Sequence, residues 1–332
     1  WKSSFYCACW SQSFTPNQRQ PNIGMVLIGE QTGFQFIEPP IPPLPLREVD
    51  ETKQSDTETR EILLELYNAT EGAAWQNNSG WNSADEICKW FGVTCFNQTF
   101  VVKLNLANNG LRGEIPPSLG MLKHLQQLDL SLNHLEGIVP PELGNLTSLL
   151  DLKLFQNRNL GGPIPPELGQ LSNLNHLDLN FCDFSGTIPS DLGKLQCVQV
   201  MYLFGNPKLG GQVPAAIGLL KNLTTLSISQ CSFSGSLPSE MRALSNLEQV
   251  YLYQNSFSGP LPDWLPELPA LLRLYMFENQ LDGPLAGWLG NLTAMLDLSL
   301  YNNRLTGQLP SSLGGMVSLK NLYLDNNALT GP

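Results

Sequence analysis

The chain has 332 residues, 42% of them hydrophobic and 14% charged, with a formal net charge of -11. With 29 acidic against 18 basic side chains it lacks the clustered positive surface that nucleic acid or an anionic membrane requires, so its partners are expected to be neutral or basic. The apolar run from Gly24 to Gly29 is far too short to cross a bilayer, and no transmembrane segment is expected.

Residues 1–55 stand outside any repeat. They hold Cys7 and Cys9, a short candidate strand at Met25 to Ile28, the stretch Glu38-Pro-Pro-Ile-Pro-Pro-Leu-Pro45 and an acidic run from Glu48 to Asp56. The prolines favour an extended polyproline-II path, which suits a stiff spacer or a docking peptide. Residues 20–47 are expected to be extended and largely non-helical. Phe34, Phe36, Ile37, Ile41, Leu44 and Leu46 would be buried there, against the chain's own convex surface or a neighbouring subunit.

Ser55-x-x-Glu58 is a capping box, and Ile62, Leu63, Leu66 and Tyr67 follow at helical spacing, which predicts a helix ending at Gly72. Trp75, Trp81 and the block Cys88-Lys-Trp90-Phe-Gly92-Val-Thr-Cys95 come next. Two cysteines seven apart can close a small loop over a first apolar layer, so residues 56–100 are assigned as an N-terminal cap.

From Leu104 the pattern Leu-x-Leu-x-x-Asn-x-Leu-x-Gly recurs ten times, beginning at Leu104, Leu128, Leu152, Leu177, Met201, Leu226, Val250, Leu274, Leu298 and Leu322. The steps are 24 or 25 residues. A unit this short cannot bury its own apolar face and must stack on its neighbours, which predicts a curved α/β solenoid over residues 101–332 with a parallel concave sheet. The paired leucines point inward, because strand side chains alternate. The asparagines, among them Asn109, Asn133, Asn157, Asn206 and Asn303, are expected to bond the backbone of adjacent turns. Cys182 and Cys231 take that slot in two repeats as small core residues. The glycines from Gly113 to Gly331 mark a tight turn or a positive φ. The chain starts at Trp1 and shows no signal-peptide pattern, so an upstream segment is expected to have been removed or to lie outside this sequence. The tenth repeat is truncated with no polar C-terminal cap, so the natural chain is expected to continue there.

Leu128 through Pro140 with Leu143-Gly144-x-Leu146 closely resembles the repeat of plant-type leucine-rich repeat proteins. The cap, Glu61 to Gly72 with Trp75, Trp81 and Cys88-x-Trp90-x-Gly-Val-x-Cys95, is similar to caps of extracellular leucine-rich repeat proteins of plants and photosynthetic protists. The resemblance covers about 275 of the 332 residues. It implies a right-handed superhelix and extracellular recognition, as in receptor-kinase and receptor-like ectodomains, cell-wall enzyme inhibitors, or adhesion and structural proteins. The departures are Ala286 in place of proline, Cys182 and Cys231 in place of asparagine, and the unmatched residues 1–55.

The concave face is formed by the residue before the first strand leucine, the one between the pair, and the two after the second. Of these 40 positions ten are aromatic: Phe155, Phe181, Tyr202, Phe204, Tyr251, Tyr253, Tyr275, Phe277, Tyr301 and Tyr323. That quarter exceeds the 9% aromatic content of the whole chain. Tyr251 with Tyr275, and Tyr253 with Phe277 and Tyr301, are expected to form ladders that bind a peptide, protein or glycan. Earlier on the same face, Asp129, Lys153 and Asp178 share a column and read as an ion-pair ladder, beside Asp151 and His176. An acid-base or metal site from Asp151, His176 and Asp178 is the catalytic alternative, disfavoured because an open sheet gives little desolvation. Neither enzymatic activity nor a cofactor is expected.

Glycosylation acceptor motifs occur at Asn68, Asn77, Asn97, Asn145, Asn222 and Asn291, which fits a secretory route. In that compartment a Cys88–Cys95 disulfide is expected. Cys182, Cys197 and Cys231 are the candidates for thiols left unbridged. The sequence thus points to a non-enzymatic extracellular recognition module; the rival is an accessory or wall subunit docking through residues 1–55, and more distantly an inhibitor of a cell-wall enzyme.

Overall fold

A computed structural model describes Leu46 and residues 55–331. The chain divides into two units, Trp1–Leu46 and Arg47–Pro332, and the second carries everything below except Leu46. Cys7, Cys9, the candidate strand at Met25 to Ile28, the proline stretch and most of the 20–47 path lie outside the described residues. Leu46 is 42% exposed in the chain taken alone.

Helix α1, Asp56–Ala69, starts as the capping box requires, with Ser55 Oγ accepting the Glu58 N–H at 3.2 Å. It buries Ile62, Leu63, Leu66 and Tyr67. It ends three residues before Gly72, because both the N–H and the hydroxyl of Thr70 donate to the Leu66 carbonyl, after which Glu71 turns left-handed at φ 55°. Gly72 serves a different purpose. A Cβ there would lie 2.1 Å from the Tyr67 ring, so the glycine lets the chain pass beneath it.

Tyr67, Trp75, Trp81 and Trp90 pack in series, edge-on or tilted, with centroids 5.3, 4.8 and 5.0 Å apart, and plug the open end of the solenoid. Each indole N–H in this plug finds a carbonyl: Trp75 donates to Thr70, Trp81 to Phe91 and Trp90 to Asp85. Arg60 lies over Trp90, its carbon 5.0 Å from the ring, and donates to the Ser83 and Asp85 carbonyls. The Cys88–Cys95 disulfide ties the turn Ile87–Lys89 to strand Val93–Phe96. That strand pairs antiparallel with Phe100–Asn105 through a hairpin whose Asn97 and Gln98 both have positive φ.

The hairpin strand and the ten repeat strands form one eleven-stranded sheet, parallel in every pairing after the first. Its inner leucines, such as Leu128, Leu152 and Leu177, are no more than 1% exposed. Burying each is worth about 2 kcal/mol. On the opposite side, short 3-10 turns such as Pro117–Met121 and Pro141–Asn145 form the rungs, and their glycines permit a close approach. A Cβ on Gly144 would stand 2.4 Å from the Glu167 carbonyl oxygen of the next rung. At Ala286 the backbone keeps the extended geometry of the prolines in this slot, φ -80° and ψ 150° beside -69° and 136° at Pro310.

A second sheet, absent from the sequence-based expectations, runs beside the first. Eight parallel strands compose it, from Arg112–Glu114 to Gln280–Leu281, and Thr306–Gly307 with Ala328–Leu329 form a further pair. In this slot the glycines from Gly113 to Gly307 lie in or beside these strands and carry positive φ, as expected, whereas Gly331 in the last repeat does not.

The asparagines form a ladder along the core. Asn133 donates from Nδ2 to the Leu106, Leu130 and Ser131 carbonyls, while its Oδ1 accepts the N–H groups of Asn109 and Leu111. Asn303 repeats the pattern toward Met276, Leu300 and Leu281. Cys182 and Cys231 keep only the donor half, each Sγ donating to a carbonyl of the preceding repeat, Leu154 and Leu203.

Candidate ligand-binding surface

The parallel register arranges the outward side chains in columns. One runs Gln127, Asp151, His176, Val200, Thr225, Gln249, Arg273, Asp297 and Asn321. A second runs Asp129, Lys153, Asp178, Tyr202, Ser227, Tyr251, Tyr275, Ser299 and Tyr323. Past the strand ends a third contains Phe155, Phe204, Tyr253, Phe277 and Tyr301.

The aromatic columns stand as ladders. Tyr253 stacks on Phe277 at 4.6 Å and Phe277 on Tyr301 at 4.4 Å, their planes within 10° of parallel, and Tyr251 meets Tyr275 at 5.3 Å. Stacking has a price in surface: Tyr202, Tyr251, Tyr253, Tyr275 and Phe277 are buried, and Phe155, Phe204, Tyr301 and Tyr323 are half-buried. Only Phe181, at 39%, is exposed. Most of the ladder therefore offers edges and hydroxyls, not open ring faces. Burial, reinforced by Asp297 and opposed by Arg273, pushes the Tyr275 phenol up to about 12. Burial likewise raises Tyr301, with Glu278 adding to the effect.

The polar cluster differs from the expected ion-pair column. Lys153 Nζ turns to Asp151 of its own strand at 2.7 Å, while Asp129 accepts from Ser131 and Asp178 from Asn180. His176 lies between Asp151 and Asp178, with Nδ1 2.9 Å from Asp151 Oδ1 and Nε2 4.0 Å from Asp178 Oδ2. The imidazole itself fills the space between the two carboxylates. Burial alone would raise Asp151, but the hydrogen bond and charge of His176, with Lys153, outweigh it and hold the carboxyl below the usual range. In the C-terminal half, Arg273 Nε donates to Asp297 at 3.0 Å and Asn321 donates to the other oxygen.

The residue just before each asparagine or cysteine of the core ladder is left-handed in every repeat. The occupants are Asn108, Leu132, Gln156, Phe181, Gly205, Gln230, Gln254, Glu278, Asn302 and Asn326. Leu132, absent from the sequence-derived candidates, is 41% exposed there. It had a legible signal: a large apolar residue in a slot that otherwise takes amide, acidic or glycine residues, Phe181 apart.

Of the glycosylation motifs, Asn68 on α1, Asn97 in the hairpin, and Asn145 and Asn291 at the ends of 3-10 turns are exposed. Asn222 is half-buried and donates to the Gln196 carbonyl, and half-buried Asn77 accepts from Ser79. Cys182, Cys197 and Cys231 form no disulfide. Among the described residues no helix is long and apolar enough to cross a membrane.

These turns, sheet and asparagine ladder define a leucine-rich repeat protein. The Leucine Rich Repeat family model matches residues 100–122, 124–146, 173–195, 222–244, 246–268 and 296–316. The chain is similar to an LRR receptor-like serine/threonine-protein kinase of Oryza sativa subsp. japonica, 51% identical over 47 residues, which are 14% of this chain and 5% of that protein. Among solved structures, it resembles a plant peptide hormone receptor, RGFR1 in complex with RGF2, with TM-score 0.65 and 35% identity over 67% of this chain and 35% of that one. It also resembles a plant ice-binding protein, with TM-score 0.70 and 25% identity over 84% of this chain and 89% of that one. The chain thus spans a small part of the receptor-like kinase and about a third of the hormone receptor.

Proposed function

We propose that this chain is a non-enzymatic, extracellular recognition module of receptor-like type, which holds a peptide against its concave sheet. The observation carrying this reading is the set of columns on a rigid parallel sheet, where large aromatic, charged and amide side chains repeat at the strand spacing of about 4.8 Å. Such a surface supplies rigid contact area together with hydrogen-bonding groups. The similarity to receptor-like kinases and to a peptide hormone receptor supports the same reading. The disulfide in the cap and the exposed glycosylation motifs suit an oxidising, secretory setting.

The test is capture of degenerate synthetic 12-residue peptides by the intact chain and by a variant with Tyr253, Phe277 and Tyr301 changed to Ala. Circular dichroism and thermal melting control for the fold. The expected result is lost capture with the repeats still folded; undiminished capture overturns the assignment to this face. Deleting residues 1–55 separates the rival, since only an accessory subunit docking through that segment would lose its partner.

A further inference from the structure

Two places on the concave face violate a local rule in the same manner. Leu132 and Phe181 occupy the left-handed slot at φ 58° and 49°, where a bulky side chain sits poorly, and they are 41% and 39% exposed. A left-handed conformation costs a residue other than glycine about 1 kcal/mol or more. Little burial offsets that cost. The two are separated by one repeat, that of Gln156, so their backbones stand about 10 Å apart across the sheet. Beyond Phe181 the slot falls to Gly205, where an added Cβ would lie 2.5 Å from the Phe181 ring, so the ring has room to lie over that turn.

The exposed ring continues into a polar site. Phe181 packs edge-on against Phe204 at 5.1 Å, Phe204 against Tyr202 at 5.9 Å, and Tyr202 against His176 at 5.8 Å. His176 is 3% exposed, and its Nε2 makes no hydrogen bond to any described residue although it lies on the Asp178 side of the ring. A buried imidazole nitrogen left unsatisfied is uncommon and marks a place where a polar group from elsewhere would be received. Beside it stand two carboxylates, Asp151 and Asp178, with Asp129 two strands away, to one ammonium, Lys153, which is bound to Asp151.

From this arrangement we infer that the N-terminal half of the concave face, at Leu132, Phe181 and the His176 cluster, is the specificity-determining contact for a basic, apolar peptide in extended form. The inference rests on the concave-face reading above and deepens it. Residues three apart in a peptide of polyproline-II form lie on one face and span about 9 Å, which matches the separation of the two slots. The peptide therefore carries two large apolar side chains at positions i and i+3, with Lys or Arg in the same stretch to meet the carboxylates. The strain at Leu132 and Phe181 is thereby explained as the cost of keeping contact area at the surface.

Three sets of fluorescein-labelled 12-residue peptides, otherwise degenerate, test this by fluorescence anisotropy with the whole chain. The first contains Leu-x-x-Phe with a neighbouring Lys, the second replaces Lys by Glu, and the third replaces the apolar pair by Ser. Only the first is expected to bind well, and Phe181→Asn and Leu132→Asn should each weaken it by about ten-fold or more. Asparagine tolerates the left-handed slot, so both variants should melt at or above the parent temperature, whereas a purely structural role would lower it. Equal binding of the Glu set, or unchanged binding by both asparagine variants, overturns the inference. Binding lost in Tyr253→Ala but kept in Phe181→Asn defeats this inference alone, and failure of all three sets to bind defeats the concave peptide reading with it.

Discussion

The backbone N–H of Leu160 donates to the carbonyl of Asn157 at 3.0 Å, and that bond makes an asparagine unnecessary at Cys182. In the other repeats the equivalent N–H, such as that of Leu135, is taken by the asparagine Oδ1 of the following turn. Asn157-Arg158-Asn159-Leu160 has one more residue than the usual Asn-x-Leu, and the extra residue folds the N–H back on its own turn. Asn206-Pro207-Lys208-Leu209 repeats the arrangement, with Leu209 bonded to Asn206 at 3.0 Å and Cys231 in the next turn. The insertion and the cysteine are one device, used twice.

Asn133→Cys and Cys182→Asn should therefore differ sharply. The first strands the N–H groups of Asn109 and Leu111 in the core and should cost about 2–4 kcal/mol. The second gives Leu160 an acceptor it does not need and should change stability by less than about 1 kcal/mol. Urea denaturation of the two variants checks the contrast; equal losses would contradict the coupling.

Cys182 and Cys231 should resist alkylation in the folded chain. Burial pushes both thiols up to about 12, so almost no thiolate exists near pH 8. Mass spectrometry after brief iodoacetamide treatment should find them unmodified without denaturant and modified in its presence.

Asp151 should contribute an acid-sensitive share of the stability. Its carboxyl is depressed in the fold, so the unfolded chain takes up the proton first on acidification. The contribution is complete above about pH 4 and disappears as the pH falls through the lower folded value. The stability gap between the parent and Asp151→Asn should narrow below that point. A gap that widens in acid would show the sign to be wrong.

Arg60→Ala should loosen the cap. The guanidinium holds the Ser83 and Asp85 carbonyls and covers Trp90, and its removal should cost about 1–3 kcal/mol. Trp fluorescence should report the change before the far-ultraviolet signal of the repeats.

The repeat period carried the solenoid, the inner leucines and the positive-φ glycines, because a strict spacing leaves the chain one way to stack its apolar residues. Ser55-x-x-Glu58 likewise marked the start of α1. What stayed hidden depended on hydrogen bonds that no spacing encodes. Thr70 ended the helix ahead of Gly72, and the strands of the second sheet form only when neighbouring turns pair. At the surface the aromatic composition revealed where large rings collect but not that Phe277 would be covered by Tyr253 and Tyr301. The left-handed slots of Leu132 and Phe181 belong to the same category: their residues were visible, their backbone angle was not.

The asparagine ladder also has a direction. Asn133 reaches only to residues before it, as do Asn157, Asn206 and Asn303, so each turn receives these bonds from the turn that follows. During synthesis, with the amino end emerging first, a turn stays incompletely bonded until the next 24 or 25 residues have appeared. The folded front then trails the ribosome by one repeat, and the growing array is always sealed behind and open ahead.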